Sequence, residues 1–297
     1  MRLRPFFFIF IIVSTVSCTA PRTIINSGKT TPKGNVAGGY HYSLNFSTQT
    51  VVLLKDIVVD NVNSLAKKDS ISFDANFENI NKGAVAYQLD PIKSANEFYL
   101  KYGILKRWDA GVKISGNAKG LETQFQFLGP TGKFDVETPH RVYGSVALQY
   151  TTQSQSLPSI LGKIQSRLGY NFKRQDFLLP LIFSYSIGNE EKFGALSIGG
   201  AVNYSIINYS TTPIDIYNID KTKLEAQKYK QEYMSFGLFA NLKLGYKYVY
   251  LLPSLSMFYQ NYGEYHLLNG NTTKLKGFTF IPGLGINFNI GKASQSK

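Results

Sequence analysis

The stretch that decides the fold reads GFTFIPGLGINFNI and covers residues 277–290. Large apolar residues occupy every second position, the positions between them are small or polar, and Ile281 is the exception. Because successive side chains of a β-strand point to opposite faces, this stretch predicts a strand with one apolar face. A tilted strand crosses a bilayer with about 9 to 11 residues, so this one is long enough to do so.

The same alternation recurs along most of the chain. It is clear at residues 196–206 and 233–244, where one face is again apolar. Further strands are predicted at residues 36–46, 71–77, 98–105, 108–115, 121–127, 142–151, 168–172, 177–187 and 249–259. The total is twelve strands, with ten as the alternative. An even number is expected of a barrel whose two chain ends lie on one side.

Strand length separates a membrane barrel from a soluble β-sandwich, which also alternates. Sandwich strands have about five or six residues, whereas most of these runs are near bilayer length. Tyrosines near the predicted strand ends, between Tyr246 and Tyr265, favour an aromatic belt at a membrane interface. The sequence therefore predicts an all-β fold, a closed antiparallel transmembrane β-barrel of 10–12 strands. A soluble, lipid-anchored β-sandwich binding protein is the alternative.

Residues 51–67 depart from the alternation. Val51, Leu54, Val58, Val62 and Leu65 recur at spacings of three and four, which predicts one short amphipathic helix inserted in the barrel. Long polar connections are expected at residues 208–230 and 261–276, and tight ones at 106–107, 117–119, 188–192 and 245–247.

The N-terminus has the layout of an export signal. Arg2 and Arg4 precede a short apolar run at residues 6–13, and Cys18 follows a few small residues. We therefore expect a signal peptide at 1–17, a lipid-anchored tether at 18–34, a barrel at 35–291 and a C-terminal tail at 292–297.

Two motifs carry a resemblance to known proteins. Val16, Ser17 and Cys18 resemble the lipobox of bacterial lipoproteins, and residues 102–111, YGILKRWDAG, look like a hairpin of outer-membrane barrels. With the glycine-rich final strand, the chain resembles lipid-anchored outer-membrane β-barrel proteins of Gram-negative bacteria. The resemblance implies lipidation of Cys18 and a location in the bacterial outer membrane, both integral and lipid-anchored.

The formal charge of +13 restricts the partners. Strong positive charge favours binding to nucleic acid, to anionic lipids or to anionic solutes. Nucleic acid is set aside as a partner, because an exported chain does not meet it. We expect membrane lipid as a partner, with an envelope protein and a small anionic solute as further candidates. The residues expected to line a basic lumen are Lys101, Asp109, Lys113, Glu122, Asn203, Asn241 and Lys243.

Enzyme motifs are not evident in the sequence. Phosphate-binding loops, zinc-ligand spacings and nucleophile elbows are not found, so no metal and no cofactor is expected. His41 and Ser43 share one face of the first strand, which keeps an outer-membrane lipid hydrolase as an alternative. The expected function is non-enzymatic, either a narrow pore or transporter for small solutes or a structural or accessory component of an envelope assembly.

Overall fold

The computed structural model describes residues 22–55, 57, 62–63, 65, 67–68, 71–72, 74–131, 141–155, 159–217 and 220–290. The predicted signal peptide, Cys18 and the C-terminal tail lie outside these residues.

Ten antiparallel strands close into a barrel in which each strand pairs with its chain neighbours and β1 pairs with β10. The strands are β1 (Val36–Ser47), β2 (Lys93–Leu105), β3 (Trp108–Ser115), β4 (Ala118–Leu128), β5 (Val142–Gln155), β6 (Asn171–Ile187), β7 (Gly194–Thr211), β8 (Gln227–Tyr246), β9 (Val249–His266) and β10 (Thr272–Ile290). The closed antiparallel barrel and its 10–12 strands are confirmed.

Two of the twelve predicted strands are wrong. Residues 168–172 do not form a strand of their own, because β6 begins at Asn171 and continues to Ile187. Residues 71–77 contribute only the two-residue pairing of 71–72 with 216–217, and a helix begins at Ala75. Phe73 and Phe77 are four residues apart, a spacing that suits a helix face as well as strand alternation.

The described residues include three helices with defined bounds where one was expected: α1 (Thr48–Lys55), α2 (Ala75–Leu89) and α3 (Ser159–Leu168). The Asp74 side chain starts α2 by accepting a hydrogen bond of 2.8 Å from the Phe77 amide. Of the helix predicted at residues 51–67, α1 covers 51–55, residues 62, 63 and 65 are helical, and 56, 58–61, 64 and 66 lie outside the described residues. Val51 of the predicted stripe is 47% exposed. Val62 and Leu65 of the predicted stripe are buried.

The two ends of the barrel differ. At one, called the terminal end, β1 begins, β10 finishes and tight turns such as 106–107 connect the strands. The opposite, helical end has all three helices and the connections 212–226 and 267–271. These connections are shorter than predicted, because the strands on both sides continue into the polar stretches.

The outward face is apolar over a band. On β6 this band runs from Phe177 to Ile187 at every second residue, and Leu238 on β8 is 63% exposed. Ten residue steps of about 3.3 Å at a tilt of about 40° give a height of about 25 Å, the height of the band on membrane barrels. A bilayer therefore fits around this surface.

The helical end has its own apolar core inside the wall. Helix α2 contributes Phe77 and Ile80, which pack with inward aromatic residues of the long strands, including Tyr262 and Tyr265. The predicted tyrosine belt is only partly correct, because Tyr246 is outward and exposed whereas these two are inward and buried.

Candidate functional site in the barrel lumen

Residues 22–31, called here the luminal segment, run through the inside of the barrel. The segment begins beside Asp90 at the helical end. The chain leaves the lumen at the terminal end, where the Gly34 amide donates a hydrogen bond of 2.8 Å to the Gly103 carbonyl. Its contacts run from Asp90 to Asp109, which lies beside the tight turn at the terminal end, so it passes along the lumen. Residues 22–31 of the predicted tether are therefore inside the barrel, whereas Lys33 and Gly34 are exposed.

Side chains of the wall hold the backbone of this segment. Asn241 donates to the carbonyls of Ile24 and Asn26 at 3.2 and 3.0 Å. The Gly28 amide donates to Ser184 at 2.9 Å, and the Thr31 amide donates to Asp109 at 2.6 Å. These bonds satisfy backbone groups that no strand pairing provides for.

Apolar packing completes the contact at mid-height. Ile24 is fully buried in a cluster with wall residues of five strands, among them Leu178, Ile182, Phe239 and Phe258. The luminal segment therefore fills the lumen rather than lying against one side of it.

Asp90, between α2 and β2, is the main polar anchor at the helical end. Its carboxylate accepts from Arg22 at 2.5 Å, Asn45 at 2.6 Å, Gln260 and Tyr262 at 2.7 Å, and the Thr279 hydroxyl. Burial alone would raise the pKa of Asp90, but Arg22, Arg174 and the hydrogen bonds hold this pKa below its usual range. The sequence alone did not point to Arg22 or Asp90, because 68 residues separate them.

Three of the predicted lumen residues, Lys101 on β2, Lys113 on β3 and Glu122 on β4, form one ion-pair cluster. Lys101 and Lys113 both contact the Glu122 carboxylate, the latter at 3.1 Å. Lys113 also lies 3.7 Å from Glu97, which accepts a hydrogen bond from Thr23 of the luminal segment at 3.1 Å. This cluster therefore binds the wall and the segment together.

The other predicted lumen residues lie on different parts of the wall. Asn203 donates to Asp176 at 3.1 Å, and Lys243 pairs with Glu191 at 3.0 Å. Together with Asn241 and Asp109, they all point inward.

The described lumen is not basic, contrary to the expectation, because its lysines and arginines lie among at least as many carboxylates. Every lysine or arginine buried there has a carboxylate partner. The pairs are Arg22–Asp90, Lys29–Glu190, Lys101–Glu122, Lys113–Glu122, Arg174–Asp176 and Lys243–Glu191. The basic excess of the chain lies mainly outside the lumen.

The predicted His41 and Ser43 are not brought together as a catalytic pair. His41 is fully buried, and its Nε2 lies 2.9 Å from Ser254 Oγ on β9. Among the described residues its Nδ1 has no hydrogen-bond partner, so no acid orients the imidazole.

The cavity beside the luminal segment is small. A cavity of about 80 Å³ lies at the terminal end between the luminal segment and the wall, with Lys29 and Lys243 among its lining. Ligand pockets usually have about 300 to 1,000 Å³.

Within the described ranges no group of three or more metal-ligating side chains occurs. Among these residues, no helix combines the length and hydropathy needed to cross a membrane.

Fold and lumen together define the class of protein. It is a closed antiparallel β-barrel of transmembrane dimensions whose lumen is filled by the luminal segment.

No family model and no curated protein matches the chain. The outer membrane protease OmpT from Escherichia coli is 7% identical with a TM-score of 0.41, covering 88% of this chain and 98% of that one. Neisserial surface protein A is 9% identical with a TM-score of 0.31, covering 86% and 95%. Ail of Yersinia pestis is 10% identical with a TM-score of 0.29, covering 86% and 99%. Similarity this low assigns no activity.

Proposed function

We propose that the protein is a non-conducting barrel of the bacterial outer membrane that serves as a structural or accessory component of an envelope assembly. The luminal segment carries this proposal. It spans the lumen and is held along its length by buried ion pairs and hydrogen bonds, such as those of Arg22 and Thr31.

A pore for small solutes is the less favoured alternative. An aqueous path needs open space and charges free to interact with a solute. The cavity of about 80 Å³ and the paired lysines and arginines provide neither. Clear channels are typical of barrels with about 16 strands or more.

Planar-bilayer recording tests the proposal. We expect the full-length protein to give no current steps over a range of voltages and salts. A variant lacking residues 22–31 should give small steps, because the deletion empties the lumen. Discrete steps from the full-length protein would contradict the proposal, and co-purification of a stable envelope partner would support it.

Lipid attachment at Cys18 is the second part of the proposal, supported by the lipobox-like residues before it. Metabolic labelling with an alkyne fatty acid should mark the protein and fail with Cys18→Ser, and an unlabelled wild type would contradict the anchor.

We also propose that the protein is not a hydrolase. The contact between His41 and Ser254 is the observation that favours catalysis, but both residues lie inside the filled lumen and no described carboxylate orients the imidazole. A fluorophosphonate probe should leave the protein unlabelled. Labelling that is lost in both His41→Ala and Ser254→Ala would establish a hydrolase instead.

A further inference from the structure

Three lysines form a patch on the outer wall at the helical end, across β6, β7 and β8. Register places Lys173 opposite Asn208 and Asn208 opposite Lys230, in one outward row. Lys228 lies in the next row, opposite Ser210. Neighbouring strands are about 4.8 Å apart, so the Cα atoms of Lys173 and Lys230 are about 10 Å apart. We call these three lysines the wall patch.

The apolar band fixes the depth of the wall patch. On the outward face of β6 the apolar series starts at Phe177, and Lys173 lies four residues beyond it. With the same rise and tilt, the Lys173 backbone is about 10 Å above the band. The headgroup layer of one leaflet is about 5 to 8 Å thick, and a lysine stem lets its ammonium group reach down. The wall patch can therefore contact lipid headgroups.

The charge of the wall patch is largely uncompensated. Lys230 pairs with Glu232 at 2.5 Å, and Tyr204 donates to the same carboxylate. Within the described part of the chain, neither Lys173 nor Lys228 forms an ion pair, whereas every cation in the lumen does. A groove of about 450 Å³ runs between these lysines, so an anion has room beside them.

We propose that the wall patch binds the phosphorylated headgroup of an anionic lipid in the leaflet at the helical end. A phosphate between Lys173 and Lys230 can accept hydrogen bonds from both ammonium groups, and the Asn208 amide lies between them to donate a third. The lipid site needs the barrel to lie in a membrane, but it does not depend on the filled lumen. Failure of the lipid test would therefore leave the non-conducting barrel unaffected, and a conducting barrel would leave the lipid site unaffected.

Native mass spectrometry of the full-length protein in a neutral maltoside detergent tests this site. The probe is dioctanoyl phosphatidic acid, with dioctanoyl phosphatidylcholine as the neutral comparison. We expect at least about tenfold tighter binding of phosphatidic acid. A lysine near an anionic lipid surface contributes about fivefold, so Lys173→Gln with Lys228→Gln should weaken binding about 25-fold.

Two further variants make the test specific. Lys67→Gln with Lys68→Gln removes the same charge from an exposed turn off the wall and should leave the affinity unchanged. Glu232→Gln frees Lys230 and should tighten binding about fivefold. Heat-modifiable gel mobility checks that each variant is folded.

Three results would overturn the site. The first is equal affinity for the two lipids, the second is an equal loss in the turn variant, and the third is displacement of phosphatidic acid by millimolar inorganic phosphate. Displacement by inorganic phosphate would show that the wall patch binds a soluble anion rather than a lipid.

Discussion

Replacing Asp90 by Asn should destabilise the barrel more than any surface substitution, because it leaves the Arg22 guanidinium buried without its anion. Both side chains are 1% exposed and lie 2.5 Å apart. Breaking a buried ion pair by removing one partner costs about 3 to 5 kcal/mol. The side-chain amide introduced by the substitution still accepts hydrogen bonds through its one oxygen, so part of the hydrogen bonding from Gln260 and Tyr262 is kept. We expect the free energy of unfolding to fall by about 3 to 5 kcal/mol.

Urea unfolding in phosphatidylcholine vesicles, followed by the folded and unfolded gel bands, measures this loss. Asp220→Asn, in an exposed loop, is the matched control and should change stability by about 0.5 kcal/mol or less. Adding Arg22→Met to Asp90→Asn removes the unpaired charge and should recover at least about 2 kcal/mol. An Asp90→Asn variant as stable as the control, or no recovery in the double variant, would refute the role of Arg22 as its partner.

The same pair predicts a pH dependence. The pKa of Asp90 is lower in the folded protein than its usual value, so its charge stabilises the fold above the unfolded pKa of about 3.9. This stability is lost as the pH falls through the depressed folded pKa. The difference between wild type and Asp90→Asn should therefore be constant from about pH 5 to 8 and shrink only below about pH 3.9.

Three other substitutions test the packing by the same unfolding assay. Ile24→Ala should cost about 2 to 4 kcal/mol, because it empties a fully buried position in the lumen, whereas Ile290→Ala, at a position 69% exposed, should cost much less. Gly283→Ala should cost about 1 to 3 kcal/mol, because its new Cβ would lie 2.2 Å from His41 Cε1, and adding His41→Ala should recover part of the loss. Asp74→Ala removes the side-chain cap of α2 and should cost about 0.5 to 2 kcal/mol. Three outcomes would each contradict the contact concerned. They are an equal loss of unfolding free energy in the Ile24 and Ile290 variants, no recovery of stability when His41→Ala is added to Gly283→Ala, and an Asp74→Ala variant as stable as wild type.

The barrel wall could be predicted because alternation is local information. On β10, Phe278 to Ile290 are outward and apolar at every second position, with Pro282 among them, so the period of two alone gives the face. The inward direction of Lys101 and Glu122 follows from the same rule. The helix at Ala75 was missed because the alternation at residues 71–77 runs into its first turn, and the helical spacing of Phe77, Ile80 and Ala84 begins only there. The Asp74 cap marks where the helix starts.

The contents of the lumen could not be predicted from the sequence. Residues 22–31 have no periodicity, and their partners are backbone carbonyls and side chains distant along the chain, as with Asn241 and Ile24, which are 217 residues apart. The expected basic lumen was wrong because composition gives the total charge but not which lysines meet a carboxylate after folding. Lys243, on β8, meets Glu191 only when the connection between β6 and β7 comes to lie beside β8, 52 residues away in the sequence.

The sequence by itself determined the strands, the apolar outer face and the closed barrel, since a run of alternating residues must pair its backbone and bury one face wherever it folds. Only the tertiary structure decided that the barrel is filled, that its inner cations meet carboxylates, and that Lys173 and Lys228, which form no ion pair within the described residues, lie on the outer wall. Those features depend on which residues meet in space, and closing the barrel brings together residues that no local pattern connects.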